Sequence, residues 1–366
     1  MIKKNKWFYR FFKIFFFIIF VLYNLFLINF IKYNKIKINN IKRIGIVGLR
    51  NINNIGNNLV KYSMFMKLKE FGFKPVIIGI SYKKHNLYFL KKHLYLKEIN
   101  KFSELKESDY DLLIVNSDQT WHGDINYVLN QGFLKFAKNW KIPKFVYGAS
   151  LGHGYWNFPK KFDIEAKQLL KKFNAVSVRE RGAIDLVKKY LGIKPILVLD
   201  PTFIISKKYY INLIKNFNKN FNFNKKYLCI YQLDKNIIIE NFIKNISKQL
   251  NYNIYKVYRS KSFYIENFIF SINVSKAIIT DSYHGTIFSI IFNKPFITFI
   301  NNKRGKDRFT SLIETFKLKD RIILPTSNMT INSTLLTKPL NIKQSLLNKL
   351  KAISINYLKK NLYMKK

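Results

Sequence analysis

The feature that most constrains the fold is a repeated phrase: a short apolar run, a turn of small and hydrogen-bonding residues, then a helical pattern. The run over 41–48 ends in Gly48 and is followed by an Asn-rich loop over 51–58, a helical pattern over 59–71 and a second apolar run over 76–80. Residues 111–115 lead into Asn116-Ser117-Asp118-Gln119-Thr120-Trp121, residues 145–150 into Leu151-Gly152-His153-Gly154, and residues 175–178 into Arg179-Glu180-Arg181-Gly182. Continuous apolar strands alternating with helices make βαβ units and a parallel sheet, an α/β architecture. Ligands of such sheets gather at the carboxyl ends of the strands, which is where the small polar residues fall. Gly45, Gly48 and Gly56 do not form GxGxxG, so the first loop is no dinucleotide fingerprint.

A second series follows. A strand over 196–203 closes the first, and the segment 207–226 is too polar and Asn-rich for core. Strands are expected over 227–232, 254–258 and 277–280, with helices over 236–250 and 265–274. The expected organisation is a basic and apolar anchor with its linker (1–40), an N-terminal Rossmann-like domain (41–215), a C-terminal Rossmann-like domain (216–340) and a C-terminal helix (341–366). That helix either crosses back onto the first domain or packs locally. A chain of 366 residues suits two domains.

The most pointed turn is Thr280-Asp281-Ser282-Tyr283-His284-Gly285-Thr286, between an apolar strand and an amphipathic helix. Ser282 or Asp281 can cap the helix, whose free N–H groups and positive dipole end attract an anion. His284 is the side chain there that can exchange a proton near neutrality; the alternative is a capping or packing histidine. Arg179 and Arg181 sit at a strand-to-helix junction, where a guanidinium fork fits phosphate or carboxylate. The competing reading is an ordinary Arg–Glu surface pair.

Composition removes some classes. The formal charge of +45 comes from 65 basic and 20 acidic residues, which points to nucleic acid or an anionic surface. The excess is chiefly lysine scattered among Asn, Ile, Phe and Tyr, with no Arg-rich stripe, zinc spacing or aromatic RNA-binding signature, so no nucleic-acid partner is expected. The one cysteine, Cys229, lies in an apolar strand pattern; it excludes an intramolecular disulfide, argues against a cysteine-ligated metal and fits a reducing compartment.

Residues 14–31 carry no charge and lie between Lys3, Lys4, Lys6, Arg10 and Lys13 on one side and Lys32, Lys35 and Lys37 on the other. A helix over them would rise about 27 Å, against a hydrocarbon core of about 30 Å. Asn24 and Asn29 interrupt it and both flanks are basic, so it either crosses a membrane or lies in the interface. No small-x-small cleavage site follows it. Membrane contact is expected through residues 7–31, with burial in the soluble body as the alternative.

Taken in order, Gly56-Asn57-Asn58, Ser117-Asp118-Gln119-Thr120-Trp121, Ala149-Ser150-Leu151-Gly152, Ser177-Val178-Arg179-Glu180-Arg181, Asp200-Pro201-Thr202, Thr280-Asp281-Ser282-Tyr283-His284-Gly285 and Lys306-Asp307-Arg308-Phe309 resemble the polysaccharide pyruvyltransferase family over residues 41–320. The resemblance implies two Rossmann-like domains facing a cleft, as in glycosyltransferases of the B fold. It implies phosphoenolpyruvate as donor and a sugar hydroxyl pair as acceptor, giving a pyruvate ketal and phosphate without cofactor or metal. By that resemblance His284 is the general acid/base, with Asp118 an alternative base toward the sugar. Arg179, Arg181, Ser282, Gly285, Thr286 and Arg308 would hold the donor, and Asn57, Ser117 and Gln119 the acceptor. Asn116 stands in place of a common glycine, and Tyr283 where some branches carry a basic residue and Leu before the His, so one guanidinium is either missing or supplied by Arg304 or Arg308. A lipid-linked oligosaccharide at the cytoplasmic face of the membrane joins the apolar segment to a cytosolic donor. A nucleotide-sugar glycosyltransferase and an inactive membrane-attached binding protein are the rival readings.

Overall fold

A computed structural model describes residues 42–49, 54–80, 87–217, 222–257, 265–301, 305–326 and 331–363. The expected apolar N-terminal helix and Arg304 lie outside the described residues. Among those described, no helix is long and apolar enough to cross a membrane.

The apolar runs form two parallel sheets. The first contains β1 (Arg43–Val47), β2 (Lys74–Ile80), β3 (Leu96–Ile99), β4 (Leu112–Val115), β5 (Lys144–Ala149), β6 (Ala175–Val178) and β7 (Ile196–Leu197), in the order β3-β2-β1-β4-β5-β6-β7. The second contains β8 (Tyr227–Tyr231), β9 (Asn253–Lys256), β10 (Ala277–Thr280), β11 (Phe296–Phe299) and β12 (Ile322–Ile323), in the order β12-β11-β10-β8-β9. Every residue of β4, β10 and β11 is buried, because helices cover both faces of a parallel sheet; the two threonines among them, Thr280 and Thr298, are hydrogen-bonded to the Tyr231 carbonyl and to Thr286 Oγ1. Gly45 is required by close packing: a Cβ there would stand 2.6 Å from Leu113 Cδ2. In each sheet the strand order turns around next to the first strand, between β1 and β4 and between β8 and β10. Such reversals open a crevice at the carboxyl ends.

Two expectations are corrected. The run over 196–203 is not one strand: β7 stops early and Pro201–Phe203 form a 3-10 turn. Pro201 has no N–H for the ladder, and Asp200 caps the turn, its Oδ1 accepting from Thr202 N at 3.0 Å and Thr202 Oγ1 at 2.7 Å. The polar segment after it does contribute to the core. Its helix Lys207–Leu213 buries Tyr210, whose hydroxyl bonds Ser63 Oγ (2.7 Å) and the Thr202 carbonyl (2.8 Å), so the tyrosine enters the interior with its polar tip satisfied.

The C-terminal helix Gln344–Leu362 crosses back onto the first sheet. Tyr357 Oη donates to the Val146 carbonyl of β5 at 2.6 Å, and Ser354 Oγ accepts the Leu199 N–H at 2.9 Å. The buried apolar cluster is continuous between the sheets, with Tyr210 edge-on to Phe288 at 4.9 Å. Leu358 on that helix has no exposed surface. We expect Leu358→Ala to cost about 2–5 kcal/mol, the usual range for a buried leucine; an unchanged denaturation midpoint would show that the helix is not part of the core.

Candidate active site

The carboxyl ends of β4, β6 and β7 converge on one guanidinium. Arg179, directly after β6, has no exposed side-chain surface. Its Nη2 reaches Asp118 Oδ1 at 3.0 Å, its Nη1 reaches Asp200 Oδ2 at 2.5 Å, and its Nε lies 3.4 Å from Glu180 Oε1. Burial alone would lower the pKa of Arg179, but Tyr283, Asp200, Asp118 and Glu180 together raise it above the ordinary arginine value. Asp118 has φ +94°, a left-handed conformation that a side-chain-bearing residue rarely adopts. It stays there because its carboxylate is held on all sides: Oδ1 also accepts the Gln119 N–H and Oδ2 accepts Asn57 Nδ2, each at 3.0 Å. Burial would raise the Asp118 pKa, yet Arg179, His284, Arg308 and the Asn57 bond bring it down to about 2. Asp200 follows the same logic: burial opposes ionisation, while His284, Arg179 and the Thr202 N–H hold it well below the carboxylate range. Burial pushes Glu180 up, against Arg179, Ser150 and Arg308. Lys61 on the helix Ile55–Glu70 is buried and pushed down to about 7 by desolvation, with Asp118 pulling the other way.

The second sheet delivers the histidine. His284 lies in the first turn of the helix Tyr283–Ile291, and its Nε2 is 3.6 Å from Asp200 Oδ2, just beyond hydrogen-bond reach. Its ring packs on the start of the helix Ile55–Glu70, where a Cβ at Gly56 would fall 1.9 Å from His284 Nδ1. Glycine is thus a steric requirement of the approach between the two units. The Tyr283 ring has the Arg179 and Arg308 guanidinium carbons each 4.9 Å from its centroid and meets the His284 ring edge-on at 5.3 Å. Arg308 opens the helix Lys306–Phe316; burial and then Arg179 lower its pKa, against Asp118, Glu180 and Tyr283.

Of the residues expected from sequence, the structure brings together His284, Asp118, Arg179, Arg308, Asn57 and Ser117. Arg181 is not among them: it is exposed, with Nε 3.8 Å from Glu314 Oε2 on a surface where both side chains are about half exposed, which is the Arg–Glu surface pair. At the helix start the Gly285 and Thr286 donors are taken internally, since Ser282 Oγ accepts the Gly285 N–H and the Ser282 carbonyl accepts both the N–H and Oγ1 of Thr286. Ser117 Oγ donates to the Gly148 carbonyl at 2.7 Å. Gln119 packs against Gly152, where a Cβ would lie 2.2 Å from its Nε2. Asp200, Glu180 and Tyr283 were not expected as site residues. Asp200-Pro201 at a strand's end and an acid between two arginines are the signals that could have found the first two. Among the described residues no group of His, Cys, Asp or Glu is arranged to hold a metal ion.

Two parallel α/β sheets joined over a buried His–Asp–Arg cluster define a glycosyltransferase-B-like enzyme fold, and the comparisons agree. UDP-GlcNAc 2-epimerase from Methanocaldococcus jannaschii superposes with a TM-score of 0.57 at 16% identity, over 86% of this chain and 98% of that one. The enzyme of that name from Neisseria meningitidis, bound to UDP-GlcNAc, gives 0.51 at 12% identity, over 87% and 100%. At such identities the likeness is one of fold. No curated protein matches the chain. The profile of the polysaccharide pyruvyl transferase family matches residues 54–304, and the chain belongs to that family. It is a transferase that acts in polysaccharide modification.

Two outcomes follow from the geometry. Gly56→Ala should displace the His284 ring and lower turnover at least about tenfold, since misplacing a reacting group by an ångström is costly, with an unchanged circular dichroism spectrum; full turnover would contradict the contact. Asp118 titrates near 2 when folded against 3.8 as its reference, so its ionised form contributes stability that is present above pH 3.8 and lost as pH falls through 2. Asp118→Asn should therefore weaken folding near neutrality by about 3 kcal/mol, the scale for breaking a buried pair, and flatten the acid limb of the stability profile. An unaltered acid limb would refute the pairing.

Proposed function

We propose that the protein transfers the pyruvyl group of phosphoenolpyruvate to two hydroxyls of a sugar, forming a pyruvate ketal and releasing phosphate. The observation that carries this reading is the placement of His284 beside Asp200 with Arg308 across the Tyr283 ring, in a junction shielded from water. The donor is a small dianion or trianion with a nucleophilic methylene carbon. It needs a proton delivered to that carbon and fixed positive charge around its carboxylate and phosphate.

His284 supplies the proton. Protonation of C3 makes C2 cation-like; one sugar hydroxyl attacks C2 and loses its proton, the C2–O bond to phosphate breaks, and the second hydroxyl attacks and loses its own. One hydroxyl proton replaces the one that His284 gave to the methyl group, and the other leaves with phosphate, so the histidine returns to its starting state. Asp200 stabilises the imidazolium between these events. Arg308 takes the donor's anionic groups, supplying the guanidinium that position 283 lacks in this chain. Arg179 is saturated by carboxylates, so its part is to fix Asp118 and Asp200 and to add a preorganised positive field. Asp118, at a pKa of about 2, is a poor base, and its part is likewise to hold Arg179 and Asn57 in place. Arg181 has no part in donor binding.

The acceptor is a cell-surface polysaccharide unit or its lipid-linked precursor, presented at the cytoplasmic face of the membrane. The motive is the uncharged run over 14–31 and its basic flanks. Removal of residues 1–38 should leave turnover on a soluble sugar and reduce it on a lipid-linked one; equal loss on both would count against that role. The reaction itself is tested by phosphate release from phosphoenolpyruvate with mass spectrometry of the acceptor. His284→Ala should lower turnover by about 10²–10⁴-fold. Near-normal turnover in that variant, or consumption of a nucleotide sugar with phosphoenolpyruvate ignored, would overturn the proposal.

A further inference from the structure

The residues expected to hold the acceptor offer it little beyond the unpartnered Oδ1 of Asn57. Asn57 and Ser117 are buried and already donate to Asp118 and to the Gly148 carbonyl, and Gln119 is pressed against Gly152. Beside Arg308, however, the loop after β5 presents an aromatic surface. The His153 imidazole stacks on the Tyr155 ring at 5.1 Å with 16° between the planes, and His122 meets His153 edge-on at 4.5 Å. Tyr155 is 59% exposed, so much of it faces solvent. His122 Nδ1 is buried and has no hydrogen-bond partner, an arrangement that costs free energy unless something else completes it.

The position of this surface relative to the donor site is fixed by backbone. A Cβ on Gly154 would lie 2.6 Å from Asp307 Oδ1, and one on Gly305 would lie 2.3 Å from the Gly152 carbonyl oxygen, so the loop from the first unit is seated against the residues that open the Arg308 helix. The proximity is also electrostatic: burial, then His153, then Arg308 hold the His122 imidazole below its ordinary range. A pyranose has a face of C–H groups and a rim of hydroxyls. A flat aromatic pair with one ring exposed and an imidazole nitrogen nearby complements that shape, an apolar body with a polar edge.

We propose that His153 and Tyr155 form a stacking platform for a pyranose ring of the acceptor, with His122 Nδ1 as a hydroxyl partner, adjoining the donor site at Arg308. This rests on the transfer reaction proposed above. The platform selects by ring shape and holds the sugar beside the Arg308 end of the donor site. These are positioning contacts and take no part in the proton transfers.

The test uses the full-length protein in detergent with methyl glycosides of glucose, galactose and mannose as probes, followed by saturation-transfer NMR, and phosphoenolpyruvate binding by calorimetry on the same samples. Tyr155→Ala and His153→Ala should each weaken glycoside binding about fivefold or more, the scale of a lost aromatic contact. Tyr155→Phe should retain it, and the phosphoenolpyruvate Kd should stay within about twofold throughout. Tyr155 is exposed, so its replacement leaves the core intact. No saturation transfer to any of the glycosides in the wild type, or equal transfer in Tyr155→Ala, overturns the platform. Absence of phosphoenolpyruvate binding in the wild type overturns the reaction instead, so the two failures are separable.

Discussion

The structure around the site depends on one buried guanidinium. Three carboxyl groups from three strand ends turn toward Arg179, which helps hold Asp118 and Asp200 in their ionised form against burial and opposes the upward push on Glu180. The ion pairs are therefore less a source of net stability than a device of position. They hold Asp118 in a left-handed backbone, point Asp200 toward His284, and place a cation behind the Tyr283 ring. Removing the guanidinium would leave unpaired charge in a dry interior, a far larger cost than losing a surface pair such as Arg181–Glu314.

Two units that supply one site must be held in register. The ring of His284 rests on the backbone at Gly56, and the chain near Gly305 rests on the Gly152 carbonyl, so both seams are backbone contacts that admit no side chain. The C-terminal helix adds a third tie through Tyr357 and Ser354. Together these leave His284 and Arg308, from one unit, facing Asp200 and Asp118, from the other.

The sheets were legible in the sequence because strands buried on both faces read as largely apolar runs: β4 is apolar throughout, and β10 and β11 carry one threonine each. The site was legible as a set of strand ends, and His284 stood out by its chemistry. What the sequence did not separate was Arg179 from Arg181: both sit at the same junction, and a difference of two residues sends one into the carboxylate cage and the other to the surface. Asp200 was absorbed into an apparent strand, although Pro201 after it ends the ladder. The Gly285 N–H expected to face an anion is already taken by Ser282, because a capping side chain satisfies a donor that an anion would use. Tyr210 was missed because the segment around it is rich in Lys and Asn, and its hydroxyl partners, Ser63 and Thr202, are distant or local in ways that composition does not record.

The central claim is that Arg308, backed by the Arg179 cage, receives an anionic three-carbon donor next to His284. Calorimetric titration of phosphoenolpyruvate into the wild type and into Arg308→Ala tests it most directly, with thermal unfolding as a check on the variant. The account predicts saturable binding by the wild type and a loss of about tenfold or more in the variant, the scale of a charge-assisted contact, at an unfolding temperature close to that of the wild type. Absence of binding by the wild type, or equal affinity in both, would contradict it.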